Sequence, residues 1–241
     1  MSHEFGLIAA DTSRTRAYLA AMERRGLMPT WVLLLDDYSP TEMPGQSTAS
    51  ASMTSADPNW PEADFDPVAP LLPWLERLGL TCVISGSRDI NDQAVVGLIA
   101  QDAPELLVYS GYGGALLRAA VLATGKRFLH VHGGYLPEFK GSTTNYFSLL
   151  AEGAIGASAI FLTAEIDGGP IIRRRRFAAP TLRNLIDHVY DSAARARVLI
   201  ETLESWCHDD VWTLEVPENE GGDVYYIIHP VLKHLAILAE R

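Results

Sequence analysis

The chain has 241 residues, 48% of them hydrophobic and 20% charged, an ordinary globular composition with enough length for one well-buried core. Its formal net charge of −11 disfavours a surface that holds nucleic acid or an anionic membrane through general basic character. Two cysteines, Cys82 and Cys207, are too few for a disulfide framework, and no Cys/His spacing resembles a zinc site. The opening Met-Ser-His-Glu-Phe lacks the basic and apolar regions of a secretory signal, and no uncharged apolar run is long enough to cross a bilayer. The expectation is a soluble, reduced, cytoplasmic protein.

In chain order, Phe5 to Ala10 reads as a first buried strand. Asp11, Thr12 and Ser13 supply N-cap candidates for a helix over Arg14 to Arg25, with Tyr18, Leu19 and Met22 on one face and Gly26 as the stop. Trp31 to Leu35 is a second strand, and this repeated strand–helix–strand order argues for a parallel sheet with helices on its faces. Ser39 to Asp66, rich in Ser, Thr, Pro, Ala and Met, reads as a long loop, either a tolerated surface insertion or a lid. Helix is expected over Leu71 to Leu78, Asp92 to Gln101, Leu116 to Thr124 and Asn145 to Ala151, and as one long amphipathic helix over Thr181 to Trp206. Strand is expected over Thr81 to Ser85, Glu105 to Tyr109, Phe128 to His132, Ala157 to Leu162 and Ile171 to Phe177. Asp223 to Ile228 and Pro230 to Ala239 close the chain as a strand and a helix.

Two segments carry the chemistry. Leu129-His130-Val131-His132 runs into Gly133-Gly134-Tyr135-Leu136-Pro137-Glu138-Phe139-Lys140-Gly141, a strand that breaks into a polar loop. Residues two apart on a strand share a face, so His130 and His132 point the same way. Asp167-Gly168-Gly169-Pro170 then places a carboxylate on a Gly-rich turn before another apolar strand. Two imidazoles and a carboxylate on loops held by strands make an acid/base centre, although a strand-end His or an Asp before Gly-Gly is unremarkable alone.

The same residues resemble the catalytic core of the folate-dependent formyltransferases, which include the glycinamide ribonucleotide, methionyl-tRNA and sugar N-formyltransferases. That family's signature is an Asn-x-His at a strand end, a Leu-Pro-x-x-x-Gly loop and an Asp-x-Gly turn. Here His132, Leu136 to Gly141 and Asp167 match it, while His130 stands in the Asn position. The match is close over about residues 104 to 175 and looser back towards the N-terminus.

The resemblance implies an α/β, Rossmann-like formyltransferase fold, a mostly parallel sheet with helices on both faces, over residues 1–178. Residues 179–241 would form a C-terminal helix and a short strand–helix extension packed on it. It implies 10-formyltetrahydrofolate as co-substrate, no metal, and His132 and Asp167 as proton-handling groups. His130 is open to three readings: a replacement oxyanion donor, a group serving hydrolysis instead of transfer, or the mark of an inactive binding protein. Tyr112, Gly113, Gly114, Ala115 and Leu116, with Ile166 and Gly168, would line the folate pocket. Arg88, Tyr135, Pro137, Lys140, Gly141 and Thr143 would face the acceptor. Arg88 is equally readable as a solvated loop residue, and Asp11 opposes a phosphate at the first helix and counts against glycinamide ribonucleotide as acceptor.

The tail is too short for the further domain of methionyl-tRNA formyltransferases, and the acidic charge also speaks against tRNA. A small-molecule amine is the expected partner, an amino sugar on a nucleotide first. Arg173 to Arg176 reads as a basic run split between two strand faces, solvated or paired with acids of the chain. Tyr225, Tyr226 and His229 offer either a docking surface or a homodimer contact.

Overall fold

A computed structural model describes residues 3–37 and 59–239. In chain order these form β1 (Gly6–Ala9), α1 (Ser13–Arg25), β2 (Trp31–Leu34), α2 (Leu71–Arg77), β3 (Cys82–Ile84), α3 (Gln93–Asp102), β4 (Leu106–Ser110), α4 (Ala119–Leu122) and β5 (Arg127–His132). The chain continues through β6 (Phe139–Gly141), α5 (Thr144–Glu152), β7 (Ala154–Phe161), β8 (Ile171–Ala178), α6 (Asp191–Asp209), β9 (Asp223–Tyr225) and α7 (Pro230–Leu238).

The main sheet runs β3-β2-β1-β4-β5-β7-β8. β3, β2, β1, β4 and β5 are parallel, whereas β7 and β8 add antiparallel strands. The parallel strands lack polar alternation because both their faces are covered. On β1, Leu7 and Ala9 join a core shared with α1 and α6, while Ile8 joins the opposite core under α3 and α4. On β5, Leu129 and Val131 face the α1–α6 side, so Phe128, His130 and His132 share the other face. Tyr18, Leu19 and Met22 of α1 are fully buried, and Leu19 and Met22 each contribute roughly 1.5–3 kcal/mol by burial of apolar area. Thr12 caps that helix and Gly26, at φ 66°, ends it.

Strand order reverses between β1 and β4, where chain crossovers diverge and leave a crevice at the carboxyl ends of the strands. The expected loop over Ser39 to Asp66 falls largely at residues 38–58, outside the described residues. Its end returns to the body, with a single 3-10 turn at Pro61–Ala63 and Trp60, Ala63 and Phe65 buried in the α1–α6 core.

Three expected elements differ. The helix expected over Leu116 to Thr124 is confined to Ala119–Leu122. The Asn91 side chain donates to the Leu116 carbonyl (2.9 Å) and accepts from the Arg118 amide (2.7 Å), which clamps the preceding backbone out of helical register. The segment expected as one helix over Thr181 to Trp206 opens with a 3-10 turn and a π-helical turn at Ile186–Tyr190, and only then becomes α6. The strand expected over Asp223 to Ile228 shortens to β9, which pairs in parallel with β6 as a separate two-stranded ribbon. α6 belongs to the same core as β5 and β7.

Candidate active site

A cleft of about 550 Å³ opens at the carboxyl ends of β4 and β5. That volume suits a small organic ligand. Two sequence segments converge there. β5 delivers His130 and His132 on one face, and the 163–168 turn delivers Asp167.

His132 is 5% exposed. Its Nδ1 lies 3.2 Å from Asp167 Oδ1, and its Nε2 lies 2.8 Å from the Phe139 carbonyl oxygen. A carbonyl oxygen only accepts, and so does an ionised carboxylate. Both contacts can be hydrogen bonds at the same time only when the ring carries a proton on each nitrogen. Burial works to raise the Asp167 pKa, but the hydrogen bond and charge of His132, with the Gly141 amide donating to Oδ2 at 2.8 Å, outweigh it and hold the carboxyl at about 2.

Backbone geometry makes this pair rigid. Asp167 adopts φ 50°, a left-handed conformation that Asp tolerates, and Asn219 Nδ2 donates to its carbonyl at 2.5 Å and to that of Gly169 at 2.9 Å. A Cβ on Gly134 would fall 2.6 Å from the Phe139 carbonyl and 2.7 Å from His132 Nε2, so the loop after β5 passes His132 at a distance only glycine permits. The Thr144 hydroxyl donates to the Gly133 carbonyl and fixes the other flank of that loop.

His130 is partly buried and its Nδ1 lies 3.2 Å from the Tyr109 carbonyl oxygen of the neighbouring β4. Burial, then the cations Arg14 and Arg195, push its pKa well below 6.5. The Tyr109 ring leans over it at 5.9 Å between centroids.

Of the residues expected around the folate, Tyr112, Gly113, Gly114, Ala115, Leu116 and Ile166 line the cleft, while Gly168 instead closes a turn onto the Glu165 carbonyl. Of those expected around the acceptor, Gly141 and Thr143 line it. Lys140 does not: its amine is buried against the Asn219 carbonyl at 2.8 Å. Tyr135 is turned under the Arg176 and Arg174 guanidinium groups, 3.7 Å and 4.6 Å from its centroid. Pro137 follows a cis peptide bond outside the cleft lining, and Arg88 stacks on the outer Tyr112 ring at 4.3 Å rather than lining the cleft. The basic run is internally paired, Arg175 with Glu201 and Arg176 with Glu152, both at 2.9 Å.

The structure adds residues that the motifs did not name. Arg14 lines the cleft from α1 and donates to Ser110 Oγ (3.3 Å) and to the Gly111 carbonyl. Asp187, Asp191 and Arg195 form a polar stripe at steps of four that lines the cleft. That spacing was the available signal. Asn145 Nδ2 donates to Asp191 (2.7 Å), Asp191 accepts from Arg195 Nε (2.8 Å), and Arg195 reaches the Val131 carbonyl between the two histidines (2.9 Å).

The formyl transferase family model matches residues 55–196, more than half of the chain. A methionyl-tRNA formyltransferase of Rhodopirellula baltica is 30% identical over 110 residues, 45% of this chain and 32% of that protein, so the chain spans about a third of this curated relative. A sugar N-formyltransferase structure from Shewanella sp aligns with TM-score 0.56 and 15% identity over 98% of this chain and 87% of that one. HypX from Aquifex aeolicus, solved in complex with tetrahydrofolic acid, aligns with TM-score 0.57 and 13% identity over 96% of this chain and 31% of that one. At these identities the two structures share a fold with this chain. The family match spans β5, the loop after it and the Asp167 turn, and the chain belongs to the formyl transferase family.

Proposed function

We propose that the protein moves a formyl group from 10-formyltetrahydrofolate, as co-substrate, to the amine of a small molecule, with an amino sugar carried on a nucleotide as the acceptor. The observation that carries this reading is the His132–Asp167 pair, 3.2 Å apart in a cleft and on the segment that the family model spans. In formyl transfer the attacked carbonyl oxygen becomes anionic, the amine sheds a proton and the leaving nitrogen gains one. A His132 ring protonated on both nitrogens and fixed by Asp167 supplies positive charge where that anion develops. Tyr112, Ala115, Leu116 and Leu162 give one wall an apolar surface for a flat ring, while Arg14 gives another wall a positive charge that suits a phosphate. The tetrahydrofolic acid held by HypX and the description of the Shewanella protein support the donor and acceptor classes.

The test is to incubate the protein with 10-formyltetrahydrofolate and a panel of amines, nucleotide-linked amino sugars first, and to follow tetrahydrofolate release. Formylation that depends on His132 and Asp167 is expected. Formylation that survives His132→Ala with Asp167→Ala would overturn the reading, and formate release without any amine would convert it to a hydrolase.

A further inference from the structure

We propose that His130 is the base that takes the proton from the attacking amine. This rests on the formyl-transfer reading and deepens it, because the strand-end position that His130 occupies then holds a proton acceptor where an amide would hold a donor.

The argument is one of tautomer. Nδ1 of the ring is partnered by the Tyr109 main-chain oxygen at 3.2 Å. That oxygen has no proton to give, so Nδ1 carries the N–H. In a neutral ring the lone pair is then on Nε2. His130 lines the cleft, and Nε2 has no hydrogen-bond partner among the described residues. The side chain is only part-buried, on the wall of the cleft. A lone pair open to a ligand cleft is an acceptor in waiting, and an oxyanion would be repelled by it.

The surroundings keep the ring neutral. The charged and titratable groups acting on it come from every neighbouring element: Arg14 from α1, Tyr109 from β4, His132 from its own strand, Arg195 from α6 and Asp167 from the turn. Burial, then Arg14, Arg195 and His132, disfavour a proton on His130, and they outweigh the hydrogen bond to Tyr109 and the Asp167 carboxylate, which favour one. His132 and His130 thus divide the work: one ring has both nitrogens against acceptors, and its neighbour keeps a bare nitrogen.

The step balances. The amine nitrogen attacks the formyl carbon, a C–N bond forms and the carbonyl electrons move to oxygen. The attacking nitrogen gives a proton to His130 Nε2. When the tetrahedral species collapses, the bond to the folate nitrogen breaks and that nitrogen takes the proton back from His130. The ring ends as it began, and the products are the formamide and tetrahydrofolate.

Three measurements test this on the full chain. Histidine nitrogen–proton correlation spectra near pH 7 report the tautomer without any ligand, assigned by difference from His130→Asn. The expected pattern is a neutral His130 with Nδ1–H and bare Nε2, and an Nε2–H or doubly protonated ring would overturn the proposal. The second is the pH profile of kcat/KM for wild type and His130→Asn, with 10-formyltetrahydrofolate and an amine from the panel that the wild type accepts. The expected loss is about 10²–10⁴-fold with disappearance of the acidic limb, as removal of a general base requires. Free imidazole should restore part of the rate to His130→Ala and none to Asp167→Ala, which a purely structural role would not do. An active wild type with an equally active His130→Asn, limb intact, would overturn the base alone. A wild type with no turnover on any amine would take down the function, and the base with it.

Discussion

Ser158 sits directly opposite His132 in the antiparallel β5–β7 ladder, and its hydroxyl holds the loop into which His132 leads. Ser158 Oγ accepts from the Leu136 amide at 3.0 Å and donates to the Gly134 carbonyl at 2.8 Å, at zero exposure. A side chain on one strand thereby fixes the strand-to-loop transition of its neighbour. Ser158→Ala should leave a buried amide and carbonyl without partners and cost about 1–3 kcal/mol. Urea unfolding checks this, and a midpoint within 0.5 kcal/mol equivalent of wild type would show that the loop is held elsewhere.

Much of the scaffold was legible because local signals agreed with it. The apolar runs of β1, β2 and β4 and the Thr12–Gly26 bracket of α1 need nothing beyond period and caps. His130 and His132 on one face followed from strand parity alone. What stayed hidden was long-range. Asn91 truncating α4, Asn219 gripping the Asp167 turn and Tyr109 setting the His130 tautomer each join segments distant in sequence. Lys140 and Tyr135 misled because a loop adjacent to catalytic residues alternates direction: the Lys140 amine turns inward to Asn219 and Tyr135 outward under arginines.

Asp167→Asn should change how stability depends on pH. The carboxyl ordinarily titrates at 3.8 and is held at about 2 in the folded chain. A depressed acid releases its proton more readily when folded, so its stabilisation is complete above about pH 4 and lost as pH falls through about 2. At about 1.4 kcal/mol per pKa unit the contribution is on the order of 2 kcal/mol. Wild type should therefore lose more stability than Asp167→Asn between pH 5 and pH 2, as read by denaturant midpoints. Parallel curves for the two proteins would mean that the His132 pairing contributes nothing to folding.

Asn145 and Asp191 should prove energetically coupled. Asn145 Oδ1 accepts from the buried Gly156 amide at 2.8 Å while its Nδ2 holds Asp191, which in turn orients Arg195. Asn145→Ala strands the Gly156 amide and releases one side of Asp191, at about 1–3 kcal/mol. Asp191→Ala frees Arg195 from its partner in the cleft wall. The double variant should cost less than the two singles added, with a coupling of about 0.5–3 kcal/mol for residues in one network. Simple additivity in a double-mutant cycle would show that the two act independently.

Gly169→Ala is the sharpest probe of the Asp167 turn. A Cβ at Gly169 would overlap the Phe161 carbonyl oxygen at the end of β7, main-chain atoms that cannot rotate aside. The turn must shift instead, and it carries Asp167 away from a contact of 3.2 Å with His132. Forcing such a shift costs about 1–3 kcal/mol, and kcat/KM for formyl transfer should fall with it, because a displaced carboxylate no longer fixes the imidazole. Gly113→Ala is the control: its Cβ would meet nothing within 4 Å, so its unfolding midpoint should stay at the wild-type value. If Gly169→Ala unfolds at the same denaturant concentration as Gly113→Ala, the turn is soft, and the left-handed Asp167 backbone is not what holds the carboxylate on His132.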